Sequence, residues 1–180
     1  MTTYVSMLRG INVGGQKRIS MNDLIRIYES LGFQNVWTCV QSGNVIFDSP
    51  RTSDSEIVDM IEAQLRKSLG LNVSVIIRDQ IDISKIIKNN PLRARDHEKL
   101  HVTFLRSDPA ELPLDEIKKA KSSAEEFSIS GREVYLFCPD GYGRTKLNNS
   151  FFEKQMQVPA TTRNWRTVNA FVSDKAGPRQ

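Results

Sequence analysis

Along the chain, short apolar runs alternate with stretches in which apolar residues recur every three or four positions. The first run, Thr3 to Leu8, predicts a strand that ends where Gly10 and Gly14-Gly15 bring turn chemistry. Leu24, Ile27, Tyr28 and Leu31 then fall at helical spacing behind Ser20, with Asp23 three residues on, so a capped helix is expected before Gly32. Val36 to Gln41 and Asn44 to Phe47 predict two strands joined by a tight loop at Ser42-Gly43. Ser53 and Glu56 open a second capped helix, whose stripe of Ile57, Ile61 and Leu65 is closed by Gly70. Val73 to Ile77 supplies a fourth strand. A short helix from Ile83 to Lys88 stops ahead of Asn90-Pro91, because the residue before a proline is pushed out of helical backbone.

The order so far is β-α-β-β-α-β, in which two helices cover one face of a four-stranded antiparallel sheet. Residues 91–99 read as a linker, after which the order begins again. A strand at His101 to Leu105 is followed by a helix at Asp115 to Ser122. Strands at Phe127 to Ser130 and Val134 to Cys138 turn at Gly131-Arg132, and Asn148 to Met156 is helical. Val158 to Thr161 is a short closing strand that Pro159 restricts to an edge. A last helix is expected over Arg163 to Ser173, with Trp165, Val168 and Val172 on one face. The fold class is therefore α+β: two ferredoxin-like subdomains with antiparallel sheets, residues 1–90 and 100–180. No period of residue identity links the halves, so the duplication is one of element order.

Composition adds that the 180 residues are 39% hydrophobic and 26% charged, which is the range of folded, water-soluble chains. The N-terminus has neither a basic leader nor an apolar h-region, and no run reaches membrane-spanning length, so a cytoplasmic protein with no membrane partner is expected. Cys39 and Cys138 have no further Cys or His at metal-ligand spacing; both read as buried free thiols, and no metal site is expected. Residues 141–180 hold seven Lys or Arg against two acids, so with a net charge of +4 the whole basic excess belongs to the last quarter. An anionic partner would meet that end.

Four polar segments sit at junctions between elements. Arg9 to Gly15 has glycines suited to close backbone approach, and Arg9 and Asn12 are its candidate ligand-binding side chains. It lacks the endings of a P-loop or a dinucleotide fingerprint, so no cofactor is expected. Gln41 to Asn44 is accounted for by turn chemistry. Gly141 to Lys146 leads into a helix and places Arg144 and Lys146 beside backbone N–H groups suited to an anion. Thr161 to Arg166 puts Arg163, Asn164 and Arg166 in the first turn of the last helix, where two arginines oppose the dipole and call for either acidic neighbours or an anionic ligand to compensate. Arg144, Lys146 and Arg163 are accordingly expected to share one concave surface. The two histidines, His97 and His101, lie near none of these motifs, so no catalytic set is assignable.

These segments resemble the recurring blocks of domain-of-unknown-function family 1697. The similarity runs through Leu8 to Gly15, Leu31-Gly32-Phe33, Gln41 to Val45, Asn90-Pro91, Leu100 to Leu105, Lys146-Leu147 and Thr161 to Trp165. The resemblance implies two linked ferredoxin-like subdomains in a cytoplasmic, mostly bacterial protein, and brings no activity, cofactor or catalytic residue. Three functions stay open: binding of an anionic partner, nucleic acid or nucleotide; an enzyme acting on a small anionic metabolite; and a protein-interaction scaffold.

Overall fold

The computed structural model describes residues 1–15, 18–40 and 43–173. It divides into two compact units, Met1–Ser84 with residues 170–173, and Lys85–Asn169. The first unit runs β1 (Thr2–Leu8), α1 (Met21–Ser30), β2 (Gln34–Thr38), β3 (Asn44–Ser49), α2 (Asp54–Leu69), β4 (Val75–Asp79), and α3 (Gln80–Lys88) begins after it. The strands form an antiparallel sheet in the order β2-β3-β1-β4. Both expected serine N-caps form: Ser20 Oγ accepts from the Asp23 N–H at 3.0 Å and Ser53 Oγ from the Glu56 N–H at 3.4 Å. The alternation of the strands sends Tyr4, Leu8, Val45, Phe47, Val75 and Ile77 to the face that packs with Leu24, Tyr28, Ile57, Ile61 and Leu65 of the helices. Val5, Met7, Ile46 and Ile76 on the other face are just as buried, which is why these strands read as continuous apolar runs.

The β2–β3 connection differs from the expected two-residue hairpin. β2 already ends at Thr38, and a register shift between Gln34 and Trp37, with Asn35 at φ 47°, spends residues early. The loop therefore spans residues 39–43, of which Gln41 and Ser42 lie outside the described residues. Gly43 is required here for two reasons: its φ is 72°, and a Cβ would stand 2.6 Å from Ile11 Cγ1.

The second unit contains β5 (Leu100–Leu105), α4 (Leu114–Ala120), β6 (Glu126–Ser130), β7 (Glu133–Phe137), α5 (Asn149–Met156), β8 (Ala160–Asn164) and the start of α6 (Trp165–Ala170). Its sheet order, β6-β7-β5-β8, is the order of the first sheet restated, and every pair is antiparallel. The expected turn at Gly131-Arg132 is present, flanked by the pair Ser130–Glu133. One expectation is overturned. Arg163 and Asn164 belong to β8 and not to the last helix, since β8 stays in register with β5 as far as Asn164 opposite His101. The apolar stripe of Trp165 and Val168 begins α6 two residues later, and Asn164, not Thr161 or Thr162, caps it by accepting from the Thr167 N–H at 2.8 Å. Only Arg166 remains in a first helical turn, so Arg163 raises no dipole conflict.

Superposing the two registers also uncovers residue identity between the halves. Tyr4 faces Asp79 as His101 faces Asn164, which equates Val5 with Val102, Ser6 with Thr103, Leu8 with Leu105, Arg9 with Arg106 and Arg78 with Arg163. The Arg9 N–H donates to Ser74 O and the Arg106 N–H to Pro159 O, both at 2.9 Å. Loops of unequal length separate the equivalent residues, so the repeat has no constant period. No helix among the described residues is long and apolar enough to cross a membrane.

Candidate ligand-binding site

At the end of the second sheet where β5 begins and β8 finishes, two short elements flank an open cavity. The chain enters β5 through a 3₁₀ turn at His97–Lys99, held because Asp96 Oδ1 accepts from the Glu98 N–H at 3.0 Å. Opposite it, the Asn164 cap fixes the first turns of α6. Between them lies a cavity of about 370 Å³ lined by His97, Glu98, Trp165, Arg166 and Asn169, a volume in the range of small-molecule sites. Trp165 is buried, and the His97 ring meets it edge to face with centroids 6.4 Å apart. Asn169 Nδ2 donates to Trp165 O at 2.7 Å, which leaves its amide oxygen as an acceptor. His97 Nε2 stands 3.0 Å from Arg93 O; a carbonyl only accepts, so Nε2 carries the proton and Nδ1 keeps its lone pair. Glu98 and Arg166 carry opposite charges on the same walls, yet among the described residues neither side chain makes an ion pair or a hydrogen bond.

The six residues singled out from the sequence fall in different settings. Arg9 is half-buried at the exit of β1. Asn12, at φ 55°, spends its side chain locally: Oδ1 accepts from the Ile19 N–H at 2.9 Å and Nδ2 donates to Ile19 O at 3.2 Å, closing the glycine loop. Asn164 Oδ1 is the α6 cap. Arg163 is 9% exposed and donates through Nη1 to Thr161 Oγ1 at 2.7 Å and Thr162 O at 3.1 Å. Burial pushes its guanidinium down to about 10, against the opposing charge of Tyr142. Arg144 and Lys146, by contrast, are exposed. Four N–H groups of their loop are already donated: Gly141 to Cys138 O, Arg144 to Gly141 O, Thr145 to Tyr142 O, and Leu147 to Thr145 Oγ1. Gly141, at φ 93°, is needed for that turn rather than for a ligand.

The neighbouring side chains are committed as well. His101 stacks on Tyr142 with centroids 4.9 Å apart, and burial lowers its pKa, partly offset by the Lys99 backbone. Thr103 and Thr162 share a 2.7 Å hydroxyl contact, and Thr162 donates on to Asn149 Oδ1 at 2.7 Å. Tyr135, on a sheet strand, is 2% exposed with its hydroxyl donating to Ile86 O at 2.9 Å. Phe137 carries the Arg95 guanidinium 5.8 Å from its ring centroid, while Arg95 forks onto Glu126 at 2.7 and 2.8 Å. Among the described residues no three His, Cys, Asp or Glu gather as a metal-ligand group.

Sequence reasoning missed His97 and Glu98, which lay in the expected linker, and it read Trp165 as a core anchor. The signal available was Arg166 beside Trp165. Nothing in the spacing brings residues 97–98 to residues 165–169.

The fold defines a duplicated ferredoxin-like α+β protein, with an open cavity on its second half. The chain belongs to the family described as protein of unknown function (DUF1697), whose profile matches residues 1–135. No curated protein matches it. Its structure is similar to that of a conserved bacterial protein from Streptococcus pneumoniae, with a TM-score of 0.69 and 23% identity over 94% of this chain and 96% of that one. At that identity the likeness shows the fold.

Proposed function

We propose that this protein binds a small anionic molecule bearing a flat ring, with a nucleotide as the type ligand, in the cavity of the second unit. The observation that carries the reading is Arg166, a guanidinium with no partner among the described residues, on the wall of a cavity that also holds Trp165 and His97. A guanidinium binds phosphate oxygens through parallel N–H bonds, and the exposed His97 ring, set edge-on to the buried Trp165, offers its face to a ring. The volume fits one nucleotide rather than a strand, and the burial of Tyr135 removes a stacking platform of the kind that RNA-binding sheets use. Arg144 and Lys146 add positive potential at the same end of the sheet, which steers an anion without contacting it. The protein works in the cytoplasm on this reading.

The test is calorimetry with adenosine and guanosine monophosphates on the whole chain. Binding of at least one in the micromolar range is expected, with Arg166→Ala weakening it about tenfold or more, as loss of a charge-assisted pair does. No heat with either nucleotide at millimolar concentration would sink the proposal. A second reading, an enzyme acting on such a metabolite, has one observation in its favour: an imidazole, that of His97, lines the cavity.

A further inference from the structure

We infer that Glu98 makes the cavity selective for rings that present adjacent N–H donors, guanine rather than adenine. The inference rests on the nucleotide reading above and adds to it which base is taken. Glu98 and Arg166 line one cavity with opposite charges and still do not pair with each other, so each keeps its hydrogen-bonding capacity for a third group. Arg166 suits the phosphate. The ionised carboxylate of Glu98 accepts and cannot donate, so a ring lying against it must supply hydrogens. Guanine offers two side by side, from N1–H and the 2-amino group, which match the two carboxylate oxygens in a forked pair. Adenine presents an amino group beside the bare N1 lone pair, which would face the carboxylate and be repelled.

The position of Glu98 is also fixed rather than left to a loose loop. Its N–H is held by Asp96 Oδ1 at 3.0 Å, the Lys99 N–H by Asp96 O at 3.0 Å, and the Leu100 N–H by His97 O, which joins the turn to the start of β5. These bonds anchor the backbone from which the Glu98 side chain reaches the cavity wall, on the turn whose His97 ring meets Trp165 edge to face. Asn169 Oδ1, left over after the amide nitrogen bonds to Trp165 O, is a further acceptor in the same cavity.

The experiment is calorimetric titration of the whole chain with guanosine, inosine and adenosine monophosphates, on the wild type, Glu98→Gln and Arg166→Ala. Glu98 is exposed, so its substitution leaves the fold intact, and an unchanged melting temperature verifies this. The wild type should bind the guanosine nucleotide about tenfold more tightly than the adenosine nucleotide, with inosine, which lacks the 2-amino group, in between. Glu98→Gln should erase that preference, weakening the guanosine nucleotide about tenfold and strengthening the adenosine nucleotide severalfold, since its amide accepts from the 6-amino group and donates to the adenine N1 lone pair. Arg166→Ala should weaken all three alike. Equal wild-type affinities, or a preference that survives Glu98→Gln, would overturn the role of Glu98 while leaving nucleotide binding standing. Absence of binding by all three would overturn both.

Discussion

Arg163 stands opposite Val102 as Arg78 stands opposite Val5, and each donates Nη1 to the carbonyl of the residue before it, at 3.1 and 2.8 Å. A guanidinium that is repeated at the same strand position in both halves and is buried in both belongs to the architecture first. Arg163→Ala is therefore expected to cost about 2–3 kcal/mol in urea unfolding, the scale of hydrogen bonds to a charged group, with nucleotide affinity unchanged. Asn164→Ala should cost about 1 kcal/mol as a lost helix cap. Gly43→Ala should cost about 1–3 kcal/mol, because the added methyl overlaps Ile11 on a backbone that L residues resist. His101 gives a pH dependence. Burial lowers its pKa in the folded state, so the unfolded chain binds the proton first as pH falls. Its contribution is fully present above the ordinary histidine pKa and is lost as pH drops below it. Urea midpoints measured from pH 7.5 to 5 should decline, and the decline should flatten in His101→Phe. Cys138, pushed up to about 11 by burial and then by Glu125, should resist a thiol reagent at pH 8 until the protein is denatured.

Each half of the chain repeats one plan of strand, helix, hairpin, helix, strand and helix, and the plan assigns the elements different stabilities. β1 and β5 are hydrogen-bonded on both sides, whereas β2 and β6 are edges. In native-state hydrogen exchange the amides of β1 and β5 should be the slowest, and those of β2 the fastest of any strand, since Asn35 and the register shift already interrupt its ladder. Exchange in β2 as slow as in β1 would contradict that order. The same comparison shows what is particular to the cavity of the second half. In the first half the positions matching Trp165 and Arg166 are Gln80 and Ile81, which supply neither an indole nor a guanidinium. The segment that reads as a linker thus brings half of the site.

For the whole molecule, the basic excess of the last quarter leaves two anionic partners to distinguish, a nucleic acid and a nucleotide. Neutralising several phosphates of a polymer releases condensed counterions, so binding would fall steeply with salt, with a log–log slope of about −0.9 per phosphate on duplex DNA. A nucleotide held by Arg166 and a ring pocket should lose affinity only mildly between 50 and 200 mM salt, a screening effect. Titrations at these two salt concentrations decide the matter: a drop of about a thousandfold or more would favour the polymer. A bound nucleotide at a hundred times its Kd should also add about 2.7 kcal/mol of stability, seen as a rise in melting temperature.

The sequence by itself determined what depends on neighbours along the chain. Ser20 and Ser53 announced their helices because a cap acts within three residues, and Gly131-Arg132 announced its hairpin because the turn lies between two alternating strands. The β-α-β-β-α-β order was legible twice for the same reason. The strand identity of Arg163 was not: Ala160 to Asn164 is extended because β5 pairs with it from about sixty residues away, and a hydrogen-bond ladder overrides a helical stripe that starts only at Trp165. The residue repeat between the halves was hidden by loops of unequal length and appeared only when sheet register aligned Val5-Leu8-Arg9 with Val102-Leu105-Arg106. The cavity is the furthest case. His97 and Glu98 meet Trp165, Arg166 and Asn169 only because the start of β5 and the end of β8 are neighbours in one sheet, a long-range pairing that no local pattern encodes.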